Sequence, residues 1–132
     1  MYMDSNTRKE IELETKKMVN SFKYAIEGIV SALRCERNMK IHFAIMILVI
    51  VAGFLLKISL VEWIVCIVLF AGVISGELFN TAIENLVDIV MPYKHEKAKI
   101  VKDVSAGAVL VWAICAMIIG MIIFVPKILE LW

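Results

Sequence analysis

Polar and apolar positions along this chain alternate in blocks that predict four helices. From Lys16 to Arg34, the residues Met18, Phe22, Ile26, Ile29 and Leu33 recur at helical spacing, with Lys16, Asn20, Lys23, Glu27 and Arg34 opposite them. An apolar stripe backed by charge is the pattern of an amphipathic helix lying in a membrane interface, or of one packed on a partner helix. The charged residues before it, 1–15, predict a frayed or loosely helical lead-in. A polar hinge, Arg34 to Lys40, then opens into three apolar runs: 41–56, 62–91 and 104–125. The first is about 24 Å of helix, short against a hydrocarbon core of about 30 Å, so its flanks must contribute or its tilt must be small. The brief turn from Lys57 to Glu62 makes the first two runs antiparallel neighbours, and Pro92 ends the second. The basic stretch 92–103 predicts a loop that leads into the third.

Composition fits these runs, since 61% of the 132 residues are hydrophobic and mean hydropathy is +0.86. The expected fold class is therefore an all-α integral membrane protein, with three transmembrane helices and an N-terminal amphipathic interfacial helix in one small domain. The charged start lacks the short apolar core of a signal peptide, so the amino terminus is expected to stay attached. Net charge, +1, decides little, but its placement decides topology. Arg8, Lys9, Lys16, Lys17, Lys23, Arg34, Arg37 and Lys40 precede the first run, and Lys94, Lys97, Lys99 and Lys102 lie between the second and third. Only Lys57 and Lys127 remain for the other side. The positive-inside rule puts the amino terminus and the 92–103 segment in the cytoplasm and the carboxyl terminus outside the cell membrane. Topology thus accounts for the basic residues, and no nucleic-acid partner is expected. Cys35, Cys66 and Cys115 form no CxxC pair and read as reduced packing residues.

The candidate chemistry lies in the second run, where GELFNTAIENLVD spans Gly76 to Asp88. At about 100° per residue, Glu77, Asn80, Glu84 and Asp88 fall within a wedge of roughly 80°. Counting inward from Glu62 at about 1.5 Å per residue, Glu77 lies within the apolar slab, whereas Glu84 and Asp88 have emerged at its cytoplasmic edge. An acid at the depth of Glu77 is costly, and so is a functional candidate. A carboxylate withdrawn from water suits a general base acting on an alcohol, and one at the water boundary suits a hard cation such as magnesium. The nearby Lys94, His95, Lys99 and Lys102 offer positive charge to phosphate. Together these are the parts needed for phosphoryl transfer to a membrane alcohol. Neither GxxxxGK[ST] nor GxGxxG is present, which excludes a P-loop or protein-kinase nucleotide site.

The runs ELFNTAIENLVD and AKIVKDVSAGAVLV closely resemble the small integral-membrane lipid kinases of the prokaryotic diacylglycerol kinase family, over roughly residues 17 to 125. The segment FKYAIEGIVSALRCERNMKIH resembles the Gram-positive branch, whose usual substrate is undecaprenol; the Gram-negative branch favours diacylglycerol. This resemblance implies Glu77 as catalytic base, Asn80 as the residue orienting the reacting groups, and Glu36 and Glu84 as magnesium ligands. It implies nucleotide contacts from Lys17, Tyr24, His95, Lys102 and Asp103, support of the loop by Asp88, and a homotrimer with active sites between subunits. Lys17 stands where the Gram-negative pattern has Arg, and Tyr93 and Lys94 also depart from it. His42, at the start of the first run, reads as an interface histidine and receives no role.

The expected activity is an ATP-dependent, magnesium-requiring lipid kinase that phosphorylates undecaprenol or, alternatively, diacylglycerol. From another class, a small oligomeric proton- or cation-coupled transporter would account for a buried acid at position 77. It gives no reason for Glu84, Asp88 and the lysines to gather at one membrane face. A structural membrane subunit without chemistry is the third alternative.

Overall fold

The computed structural model describes residues 5–130, which form four helices with no strand among them: α1 (Ser5–Cys35), α2 (Arg37–Leu55), α3 (Leu60–Val90) and α4 (Glu96–Leu129). The chain divides into two compact units, α1 and everything from Glu36 onward. Helix α1 begins earlier than the amphipathic pattern suggests, so the charged lead-in is regular helix from Ser5; residues 1–4 lie outside the described residues. The reason is local. Glu and Lys are good helix formers, and pairs such as Lys17–Glu14, 2.8 Å apart, brace adjacent turns.

Two connections are shorter than their polarity suggests. The hinge from Arg34 to Lys40 contracts to Glu36 alone, the extended residue that caps α2. The expected loop over 92–103 contracts too, because α4 already starts at Glu96. His95 caps that start, its Nδ1 accepting from the Lys97 N–H at 3.2 Å, and the EKAKIVKD sequence behind it is rich in helix formers. Its charge marks a solvated helix face, not a loop.

Helices α2, α3 and α4 are each long and apolar enough to cross a membrane. Their surfaces support that reading, with Leu48, Val61, Ile67, Leu110 and Ile122 all more than half exposed. So much apolar surface would be unsupportable in water but is matched by lipid. Helix α3 packs against both others, more extensively against α4. Near the turn joining α2 and α3, Ile58, Cys66 and Ile123 form a small buried cluster flanked by Val49, Trp63 and Phe124. Ser59 and Glu62 make a reciprocal capping box there, and Lys127 reaches Glu62 at 3.2 Å. Lys57 completes the turn in the left-handed region, at a φ of 50°.

The α3–α4 contact rests on glycine. A β-carbon at Gly72 would fall 2.4 Å from the Trp112 ring, and one at Gly76 would meet Val109 at 3.7 Å. The repeat Ala106, Ala113, Gly120, with Gly107, suggests close packing along α4, yet a β-carbon at Gly107 or Gly120 would meet nothing within 4 Å. The small residues that matter are on α3, where they admit the large side chain of α4. Gly72→Ala is therefore expected to destabilise the helix pair by roughly 1–3 kcal/mol through overpacking, whereas Gly107→Ala should be near neutral. Unfolding of both variants in a denaturing-detergent titration checks this.

Candidate functional site

Seating Trp112 and Val109 on Gly72 and Gly76 sets the register of α4 along α3, and one turn further on polar residues meet. Asn80 and Ser105 are both buried, and the Ser105 hydroxyl donates to Asn80 Oδ1 at 2.6 Å, with the Lys102 carbonyl a second acceptor at 2.9 Å. The amide Nδ2 of Asn80 donates to Glu84 Oε1 at 3.1 Å. A hydroxyl on one side and a carboxylate on the other fix the amide's orientation, because the flipped amide would face oxygen to carboxylate. Two turns beyond Asn80, the Lys102 ammonium donates to Asp88 Oδ1 at 2.7 Å. That bond to Asp88 holds the Lys102 ammonium above the usual lysine range, so it stays charged at neutral pH.

On the same stripe of α3, one turn before Asn80, Glu77 meets α2. It is 3% exposed, and its Oε1 lies 3.2 Å from His42 Nε2. Both His42 and Ser105 escape a reading of the sequence. The available signals were an ionisable side chain opening an apolar run at His42, and the lone hydroxyl of the third run at Ser105. Neither discloses its partner, which lies on another helix.

Two cavities flank this stripe. Where α3 passes into α4, a cavity of about 600 Å³ is bordered by Asp88, Tyr93, Lys94, His95, Lys99, Lys102 and Asp103. It brings together three of the expected nucleotide contacts, His95, Lys102 and Asp103. Because His95 Nδ1 caps α4, its Nε2 is the ring nitrogen left for a ligand. Asp103 is exposed and 3.8 Å from Lys99. The second cavity, about 590 Å³, is a groove whose walls come from α2, α3 and α4. It runs from His42 past Met46, Val73 and Met117 to Phe124 and Ile128, and its lining is almost wholly apolar.

The remaining expected residues are not gathered here. Lys17 and Tyr24 are exposed on α1, in the other unit, where Lys17 pairs with Glu14. Glu36 caps α2 by its backbone without a side-chain hydrogen bond. No three His, Cys, Asp or Glu side chains converge to cage a metal among the described residues. The donors present are nonetheless suited to magnesium, which takes one or two carboxylates together with substrate phosphates and water. Glu84, half-buried one turn before Asp88 and with one oxygen engaged by Asn80, fits that kind of site.

Comparison with known proteins identifies the family. The family described as prokaryotic diacylglycerol kinase matches residues 23–124. The chain is 42% identical over 125 residues to an undecaprenol kinase of Bacillus subtilis, covering 95% of this chain and 99% of that one. It is 40% identical over 112 residues to a diacylglycerol kinase of Synechocystis, covering 84% of this chain and 64% of that one. A diacylglycerol kinase of Haemophilus influenzae is 30% identical over 105 residues, covering 80% and 86% respectively.

The Asn80 contacts generate a prediction. Ser105→Ala removes the donor to a buried carbonyl, which is expected to cost about 1–3 kcal/mol of stability, and it frees Asn80 to turn away from Glu84. Ser105→Thr retains the hydroxyl and should retain most of the stability. Detergent-unfolding midpoints of the two variants test the assignment.

Proposed function

The chain belongs to the prokaryotic diacylglycerol kinase family and is a lipid kinase, and from that premise we propose that it transfers the γ-phosphate of ATP to undecaprenol at the Glu77–Glu84 stripe. The observation that carries this reading is a buried carboxylate on the same helix face as a half-buried carboxylate one turn from a cavity lined by lysines and acids. The two partners of the reaction need those two environments. A lipid alcohol arrives through hydrocarbon, and a nucleotide arrives through water.

In the proposed mechanism the acceptor hydroxyl enters the apolar groove and gives its proton to Glu77. Its oxygen then bonds to the γ-phosphorus as the bond from that phosphorus to the β-bridging oxygen breaks, releasing ADP. Asn80 orients Glu84 toward the phosphate. Magnesium, held by Glu84 and Glu36, would neutralise charge on the β- and γ-phosphate oxygens. Lys102, kept charged by Asp88, attracts the nucleotide phosphates together with His95, Lys94 and Lys99, and Asp103, Lys17 and Tyr24 complete the nucleotide contacts. The amino terminus and this site face the cytoplasm and the carboxyl terminus faces outward, on the strength of the lysine and arginine distribution. Helix α1 lies in the interface, with Met18, Phe22 and Ile26, each more than half exposed, as its membrane face. Three spans leave Glu84 partly exposed and Asp88 exposed, which supports an oligomer, and the family resemblance supports a homotrimer.

Undecaprenol is preferred over diacylglycerol because similarity to the Bacillus subtilis enzyme extends along almost the whole of both chains, and because the groove offers hydrocarbon a path with few polar interruptions. Diacylglycerol is the second reading, favoured by the Synechocystis relative.

Radiolabelled ATP with purified enzyme and each lipid in turn tests the substrate, with transfer to undecaprenol expected to exceed transfer to diacylglycerol. Glu77→Gln is expected to lower kcat by roughly 10²–10⁴ while nucleotide binding persists. A variant that kept most of its turnover would remove Glu77 from the role of base. Glu84→Gln should instead raise the magnesium concentration required for half-maximal rate, read from a metal titration.

A further inference from the structure

Of the residues packed around Glu77, His42 is the one that the proposed chemistry leaves without a task. We propose that His42 is a positioning residue for phosphoryl transfer, its imidazole fixing the Glu77 carboxylate at the polar head of the apolar groove. The inference rests on Glu77 acting as the base.

Three observations carry it. Glu77 is almost completely buried, and no Lys or Arg comes within ion-pair distance of it among the described residues. His42 Nε2, 3.2 Å from Glu77 Oε1, is the titratable partner that it does have. A buried carboxylate with no neighbour would turn freely about its side-chain torsions, and an imidazole nitrogen 3.2 Å away limits the directions it can take.

His42 also belongs to α2 whereas Glu77 belongs to α3, so the contact ties two helices together at the level of the reaction. And the same imidazole lines the groove beside Ile45, Met46 and Val73. One side chain therefore meets both the base and the hydrocarbon path that leads to it. An alcohol entering along that path reaches a carboxylate whose direction is already set.

Other charged groups do not take this place. On α2, Lys40 is exposed and Glu36 caps the helix start; on α3, Glu84 is bonded to Asn80. The α4 wall of the groove presents Ala113 and Met117, and Lys102 on that helix is paired with Asp88.

The test contrasts two replacements in the full-length enzyme. His42→Gln keeps an N–H donor and gives up the ring; His42→Phe keeps a ring of similar size and gives up the nitrogen. Positioning through the nitrogen predicts that Gln retains the greater activity and that Phe lowers kcat roughly 10- to 100-fold with KM for ATP unchanged. The split between kcat and KM supplies a readout that packing would not move, because a carboxylate left undirected slows the transfer step without weakening nucleotide binding. Activity of Phe equal to or above that of Gln, or a loss that falls on KM for ATP, would overturn the proposal. If His42→Phe does not fold, His42→Ser is measured against Gln by the same criteria. A failure of the underlying reading would look different, because Glu77→Gln itself would then remain active.

Discussion

The structure depends on keeping an acidic side chain inside an apolar layer. Glu77 cannot reach water from its place on α3, so neighbouring helices must close around it, and they can do so only if α3 lets them approach. Gly72 and Gly76 give that approach on the α4 side, where Trp112 occupies the space a side chain at Gly72 would fill and Val109 packs beside Gly76. On the α2 side His42 answers the carboxylate itself. Once Trp112 is seated, the register of α4 is set. Ser105 then falls opposite Asn80, and Lys102 opposite Asp88.

This arrangement sorts the polar residues by their access to water. Glu77 and Asn80 are buried, Glu84 is half-buried, and Asp88 is exposed. Asn80 is the junction of the series, because it joins α4 through Ser105 and joins the next acid through its amide. A hydrogen-bonded network of this kind favours one geometry, since turning Asn80 strands both Ser105 and Glu84 without their partner. That middle contrasts with the start of α4, where Lys99 and Asp103 are exposed and only loosely paired.

What could be read from sequence follows the distinction between one helix and several. The acidic stripe was legible because Glu77, Asn80, Glu84 and Asp88 share a single helix, whose periodicity fixes their common face. The three spans were legible because length and hydropathy suffice to recognise them. The partners of the stripe were not. His42 and Ser105 reach it from other helices, and the register between helices is a product of packing around Gly72, which periodicity does not encode. Of the small residues, the repeat on α4 looked the more regular, yet Gly72 on α3 makes the closer contact, because a glycine acts only where a bulky side chain faces it. Residues 96–103 were misread for a different reason. Their charge suggests a loop, but Glu, Lys and Ala at these positions favour helix, and His95 supplies the cap that starts it.

Spacing along α3 also limits where the two substrates of the proposed reaction can meet. Glu77 and Glu84 are seven residues apart, about 10 Å along the helix, which is two turns and places them on the same face. A phosphate cannot follow its charge down to Glu77 without shedding hydration, and a lipid hydroxyl cannot rise to Asp88 without drawing hydrocarbon into water. The meeting point therefore lies between the two acids, at the level of Asn80. That residue is the one whose both ends are already bonded, to Ser105 and to Glu84. Those two bonds fix its orientation and leave one amide N–H and one lone pair over. In the proposed reaction its contribution is to hold Glu84 in place above the point where the alcohol, deprotonated at Glu77, would reach the phosphorus.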